Sequence, residues 1–353
     1  MVVQTRRGFL KASLMATTMV GSMSAFAGEA KLSSEKSKPA ALRAGMTVGL
    51  VAPGTNASDN DGIQYAIEIL QSLGFRVKQG AHLYQRRGYF AGTDAQRAGD
   101  LNKMFADDEV EAILCLRGGF GSIHLLDLLD YDVIAANPKI LLGYSDITAL
   151  LNAIHKKTGM TTYHGPIARQ SYSDYTLAEY KKVLFEGGKG QLIGAPPTFE
   201  TRPGKVESEN RIVTYVPGKV KGPLVGGNLT VFSDLLGTPY FPDLRGAILF
   251  LEDIREQPYR IDAMLTRLHL SGSLDQCAGF ALGKFTDCKP DNPPTRSLQE
   301  IFEERFKPLN KPCFQGLMCG HVKDQTVMPI GCKVEMDGDS GALRLLENAV
   351  TLS

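Results

Sequence analysis

Two periods of hydrophobic and polar residues alternate along this chain. From residue 45 onward, short apolar runs at residues 46–51, 75–80, 110–116 and 139–143 are separated by segments whose apolar positions recur every three or four residues. One such segment opens at Asp146, with Ile147, Leu150, Leu151 and Ile154 on one face. Strands alternating with helices of about ten residues predict βαβ units around a parallel sheet. A doubly wound α/β domain is therefore expected over residues 44–190, with ligands bound at the loops that follow its strands.

Between Leu192 and Gly222 the helical period fails, and Pro, Gly and charged residues accumulate. Residues 191–222 read as a linker with one strand at 212–215. The pattern then resumes: helices are expected near 228–237, 259–272 and 296–306, strands near 247–252 and 277–285, and a terminal hairpin around Asp337-Gly-Asp-Ser-Gly341. These elements predict a smaller C-terminal α+β domain over residues 223–353. Residues 28–353 contain no internal repeat.

The N-terminus changes the picture of where the protein works. "TRRGFLKASLMATTMVGSMSAFA" joins Arg6, Arg7 and Lys11 to a weakly apolar run and an Ala-Phe-Ala site at 25–27. That conjunction reads as a twin-arginine export signal over residues 1–27 and predicts a periplasmic protein with no stable membrane insertion after cleavage. Residues 28–43 are polar and aperiodic, and a disordered tether is expected there. Loss of residues 1–27 removes three of the 39 basic residues and none of the 38 acidic ones, leaving a chain near neutrality. Such a balance argues against a nucleic-acid partner, which requires concentrated positive charge.

Composition adds little else: 43% hydrophobic and 22% charged residues are those of an ordinary globular protein. The six cysteines (Cys115, Cys277, Cys288, Cys313, Cys319 and Cys332) show neither a C-x-x-C pair nor metal-ligand spacing. Buried free thiols are expected, with a Cys277–Cys288 bridge or a pair among the last three as the alternative.

Three strand ends carry polar residues that a packed core does not favour. Ser145 follows the run Lys139–Tyr144, Glu252 closes the run 247–251, and His321 follows Gly320. Singly they read as a helix cap, a solvated strand end and a loop histidine. Together they supply a nucleophile, an orienting acid and a base, the set that activates a hydroxyl for acyl transfer. The Asp146 N–H, opening a helix, and the Gly119 N–H, in the glycine loop "RGGFGS", are candidate oxyanion donors. Ser122, at the end of that loop, is a rival nucleophile or a helix cap. The loop lacks the G-x-G-x-x-G pattern of a dinucleotide site, and no cofactor is expected. Arg117 is a candidate for holding a substrate carboxylate.

The motifs "RGGFGS", "GYSDITALL", "HGP", "GGNLTVFSDLLGTPY", "FLEDIREQPYRIDAML" and "GHVKDQTVMPIG" occur in this order over nearly all of residues 45–352. In this the chain resembles the LD-carboxypeptidases, the muramoyltetrapeptide carboxypeptidase family that also contains the microcin C immunity peptidases. The resemblance implies a serine peptidase with Ser145 as nucleophile, Glu252 and His321 completing the triad, and Asp146 and Gly119 as oxyanion donors. It also implies a homodimer, no metal, and murein peptides as substrate, cut before a terminal D-alanine. The export signal departs from the cytoplasmic members of the family. An exported peptide-binding protein without hydrolysis, and an amidase or esterase using the same triad, are the alternatives.

Overall fold

The computed structural model describes residues 37–291 and 295–352; the expected export signal, residues 1–27, lies outside them. In the first half, strands β1 (Thr47–Val51), β2 (Arg76–Gln79), β3 (Ala112–Cys115), β4 (Ile140–Gly143) and β5 (Thr162–His164) pair in parallel in the order β5-β4-β3-β1-β2. β3 and β4 are buried at every position, as central strands covered by helices on both faces must be. The covering helices form where the spacing predicts them. Asn60–Ser72 is capped by Asp59, which accepts from Gly62 N, and buries Ile63, Ala66, Ile67 and Leu70. Asp94–Ala106 starts with a reciprocal capping box between Thr93 and Gln96. The segment after the glycine loop, expected as an α-helix, is a 3₁₀ helix at Ser122–Leu128 followed by a short α-helix at Tyr131–Ala136.

The second half contributes β6 (Val213–Val216), β7 (Lys219–Asn228), β8 (Ile248–Ile254), β9 (Gly279–Thr286), β10 (Cys313–Gln315), β11 (Met328–Ile330), β12 (Lys333–Asp337) and β13 (Ala342–Leu345). Seven of these make a sheet in the order β13-β12-β7-β8-β9-β10-β6. Its centre, β7 to β10, is parallel, and antiparallel partners flank it on both sides. Residues 191–222, read from the sequence as a linker, hold β6 and the start of β7.

β11 belongs to the other sheet. It pairs antiparallel with β5, Met328 opposite His164, after which Gly331 N donates to Leu224 O and the chain returns to the second sheet as β12. The start of the described residues is also docked: Ala40 bridges Thr351, and Leu42 is buried and donates its N–H to Leu184 O. Of the polar segment expected as a tether over residues 28–43, the described part, from residue 37, therefore packs on the fold. Cys115, Cys277, Cys288, Cys313 and Cys319 are buried free thiols. Among the described residues no helix is long and apolar enough to cross a membrane.

Candidate active site

The end of β4 builds the turn that carries Ser145. Tyr144 continues extended at φ −145° and ψ −174°, and Ser145 then adopts φ +63°. A left-handed conformation at a residue with a Cβ costs roughly 1–3 kcal/mol and persists only where neighbours fix it. It also separates Ser145 from a helix cap. A capping residue is extended and its side chain accepts a backbone N–H, whereas here the extended residue is Tyr144 and no side-chain cap forms. Gly118 permits the turn, because a Cβ on it would stand 3.0 Å from Ser145 Cβ and 3.0 Å from the Tyr144 carbonyl.

The glycine loop is held against this turn from three sides. Thr55 donates its N–H to Gly118 O (3.1 Å) and accepts from Phe120 N through Oγ1 (3.0 Å). The buried Arg97 donates to Gly121 O at 3.0 Å and stacks over the Phe90 ring. Asp146 accepts the Ser122 N–H at 3.0 Å, and its carbonyl accepts the Ser122 hydroxyl. Ser122 is fully buried, so its hydroxyl locks the loop and is not presented to solvent. Burial pushes the Asp146 carboxyl up to about 6. The N–H groups of Gly119 and Asp146 find no acceptor among the described residues. Gly119, Ser145 and Asp146 line one cavity of about 190 Å³.

Glu252 comes from β8 of the second sheet and His321 from the loop that joins β10 to β11. Glu252 lies within β8, opposite Asn228 of β7, and is completely buried; it is no solvated strand end. His321 Nδ1 is 2.8 Å from Glu252 Oε2. Two close approaches make room for that pair. Gly320 has φ +117°, and a Cβ on it would be 2.7 Å from Glu252 Oε2; a Cβ on Gly283 would be 3.3 Å from Glu252 Cβ. Thr286 donates its hydroxyl to the His321 carbonyl at 3.0 Å, fixing the loop. With Nδ1–H donating to the carboxylate, a neutral His321 keeps its lone pair on Nε2, the form that can take a proton.

Two contacts bring the halves together at this point. The His321 ring packs on Tyr144, centroids 4.8 Å apart and planes at 61°, and Tyr144 immediately precedes Ser145. No hydrogen bond joins Ser145 Oγ to His321 among the described residues, a common resting geometry for such groups. The helix Thr148–Thr158 that follows Ser145 docks on the end of β7: Asn228 N donates to Thr148 Oγ1 (3.0 Å) and Asn152 Nδ2 to the Gly226 carbonyl (2.9 Å).

Several residues that the sequence reading did not single out complete the site. His164, the last residue of β5, is fully buried, and neither ring nitrogen has a hydrogen-bond partner among the described residues. Its Nε2 lies 4.0 Å from Glu252 Oε1, which is likewise unpartnered. Burial lowers its pKa to about 4, against the opposing pull of Glu252, so it is neutral. Asp253 accepts from Asn228 Nδ2, Thr230 N and Thr230 Oγ1, tying β8 to the helix Leu229–Asp234. Burial, with the neighbouring charge of Glu252, raises its carboxyl to about 6. Arg117, the sequence candidate for substrate binding, is half-buried and donates to Asn56 O at 3.3 Å. It lines neither the cavity at Ser145 nor the cleft at His321. Among the described residues no group of three or more His, Cys, Asp or Glu is arranged to hold a metal ion.

Comparison with known proteins assigns the chain to a family. Residues 48–165 match the LD-carboxypeptidase N-terminal domain and residues 221–336 the LD-carboxypeptidase C-terminal domain. The chain belongs to the LD-carboxypeptidase family of serine peptidases. It is 40% identical over 306 residues to the probable murein peptide carboxypeptidase of Bacillus subtilis, covering 85% of this chain and 91% of that one. With the murein tetrapeptide carboxypeptidase of Pseudomonas aeruginosa it shares 32% identity over 309 residues, covering 83% and 93%. Among solved structures, the microcin C7 self-immunity protein MccF superposes with a TM-score of 0.80 at 29% identity, covering 89% of this chain and 99% of that one. The two-sheet architecture of this LD-carboxypeptidase is thus that of solved family members.

Proposed function

We propose that this LD-carboxypeptidase cleaves the bond before the terminal D-alanine of murein tetrapeptides through a Ser-His-Glu acyl-enzyme mechanism. The observation that carries the reading is the His321–Glu252 pair, 2.8 Å long and anchored in the second sheet, packed on the residue that precedes a left-handed serine. A solvated loop histidine and a helix-capping serine have no use for that arrangement.

His321 Nε2 takes the hydroxyl proton as Ser145 Oγ attacks the carbonyl of the scissile bond. The N–H groups of Gly119 and Asp146 receive the oxyanion. His321 then gives its proton to the D-alanine nitrogen, the C–N bond breaks, and an ester to Ser145 remains. Water, deprotonated by the same imidazole, attacks that ester and releases the tripeptide acid. Glu252 holds the imidazole in one tautomer and stabilises its cation throughout.

The twin-arginine reading of residues 1–27 extends the proposal to the periplasm, where tetrapeptide stems of the sacculus as well as soluble fragments are at hand. We infer that the enzyme works there as a homodimer. Incubation of the mature protein with defined muropeptides, followed by mass spectrometry, tests the reading: tetrapeptides should lose one D-alanine and give tripeptides. Recovery of every tetrapeptide intact, with binding retained, would make the protein a peptide binder instead. Simple esters cleaved as fast as the L,D bond would make it a general esterase.

A further inference from the structure

The two recesses that meet at the reaction centre differ in charge. The cavity that holds Ser145, Gly119 and Asp146 is also lined by Asp234, Asp253 and Glu256, with no basic side chain among the described residues. The cleft that holds His321 and Tyr144 is lined by Arg169 and Lys323, with no acidic side chain among the described residues. An imidazole that returns its proton to a leaving amine has the leaving residue on its own side. The departing amino acid therefore belongs in the cleft with His321. In a one-residue leaving group the α-carboxylate follows the amine by two bonds, so it comes to rest within a few ångströms of the imidazole.

We propose that Arg169 is the anchor for the free α-carboxylate of the departing residue, and thereby the group that makes this site a carboxypeptidase. The proposal rests on the assignment of Ser145 and His321 above. Arg169 is placed by the main chain: Ala168 N donates to Cys115 O (3.0 Å) and Arg169 N to Leu116 O (3.2 Å), so the segment runs beside the glycine loop. Its guanidinium lies over the first turn of the helix Asn60–Ser72, where a Cβ on Gly62 would stand 2.6 Å from Nε. Its acidic neighbour is a weak one. Asp59 Oδ2 is 3.9 Å away on a side chain that is 53% exposed, and its other oxygen already accepts Gly62 N at 2.6 Å. Arg117, on the adjoining strand end, adds a second positive charge, and it is itself made more acidic by its burial and by Arg169.

Two guanidiniums facing so little negative charge favour an anion between or beside them. Arg169, with 29% of its side chain exposed, is held in place yet open to the cleft. Lys323 lies on the exposed rim, where a flexible ammonium fixes geometry less well. Arg117 strengthens the field without lining the cleft.

The experiment pairs enzyme and substrate changes. Release of D-alanine from the tetrapeptide L-Ala-γ-D-Glu-meso-diaminopimelyl-D-Ala is compared with release of D-alaninamide from the same peptide amidated at its C-terminus, using wild type, Arg169→Gln and Arg169→Lys. Wild type should favour the acid by about 10- to 100-fold in kcat/KM, the span of a hydrogen bond to a charged group. Arg169→Gln should bring that ratio close to one, mainly through KM, and Arg169→Lys should restore part of it. A ratio unchanged in Arg169→Gln overturns the proposal. Calorimetry on the full-length Ser145→Ala protein reads the same preference without turnover. Tighter binding of the acid than of the amide, lost on adding Arg169→Gln, supports the anchor even if the assignment of the nucleophile fails. Equal binding of acid and amide refutes the anchor even if Ser145 is the nucleophile.

Discussion

Glu252 Oε2 stands 2.8 Å from His321 Nδ1 while the glutamate side chain has no contact with solvent. A carboxylate buried this way is held by its partner, and it lends the imidazole both orientation and charge stabilisation. Glu252→Gln preserves shape and removes the charge. It should lower kcat by about 10³- to 10⁴-fold with KM little changed. Because a buried ion also carries a desolvation cost, the same variant should lose little or no stability in urea. Steady-state kinetics and an unfolding curve on one preparation check both; near-normal kcat would remove Glu252 from the mechanism.

Ser145 and Ser122 both sit at the start of helical turns, yet their surroundings predict opposite outcomes. Ser145→Ala should reduce D-alanine release by roughly 10⁴-fold or more, as loss of a nucleophile does. It should also leave the far-ultraviolet circular dichroism unchanged. Ser122→Ala removes a buried hydroxyl that donates to the Asp146 carbonyl, and should cost about 1 kcal/mol of stability with a much smaller effect on rate. The reverse pattern would exchange their roles.

Gly320→Ala tests the space around the pair. At φ +117°, a new Cβ would stand 2.7 Å from Glu252 Oε2 and 2.9 Å from its Cβ. Strain of about 1–3 kcal/mol is expected, together with at least about a tenfold fall in kcat, because a displacement of 1 Å at the orienting group is costly. A crystal structure of the variant should show the His321–Glu252 distance lengthened; an undisturbed pair with full activity would contradict the packing argument.

His164 offers a pH test with a definite sign. Its folded pKa, about 4, lies below the ordinary value of 6.5. Between these values the unfolded chain binds the proton and the folded one does not, so the contribution to stability is complete above pH 6.5 and is lost as pH falls through 4. Relative to a His164→Gln variant, which cannot titrate there, wild type should lose about 3 kcal/mol between pH 7 and pH 4. Urea unfolding at pH 7, 5.5 and 4 measures the gap; a gap constant with pH would mean that His164 titrates normally.

Much of this was legible in the sequence because it is local. The buried runs of β3 and β4, the capped helix Asn60–Ser72 and the terminal hairpin follow from period and turn chemistry within a dozen residues. What the periodicity could not carry is conformational or long-range. The left-handed φ of Ser145 leaves no mark on a hydrophobic pattern. β5 and β11 are three residues each, too short to show a period, yet β5 ends on His164, which lies 4.0 Å from Glu252. Arg117 abuts the glycine loop in the sequence, whereas Arg169 reaches the His321 cleft only through main-chain bonds to residues 115 and 116. The helix expected after the loop is 3₁₀, and its first residue, Ser122, is pinned by Asp146 from 24 residues further on, a contact that no local pattern reports.

The crossing of β11 into the first sheet bears on how such an enzyme could be inherited. A gene split between residues 190 and 320 would yield a leading fragment whose β5 is a bare edge, open to pairing with other chains, and a trailing fragment with a strand that has no sheet to join. Fission, or exchange of one half with a distant relative, would therefore meet a barrier at β5 before any chemistry was at stake. Separately encoded halves would have to reassociate through that strand pair to restore the first sheet.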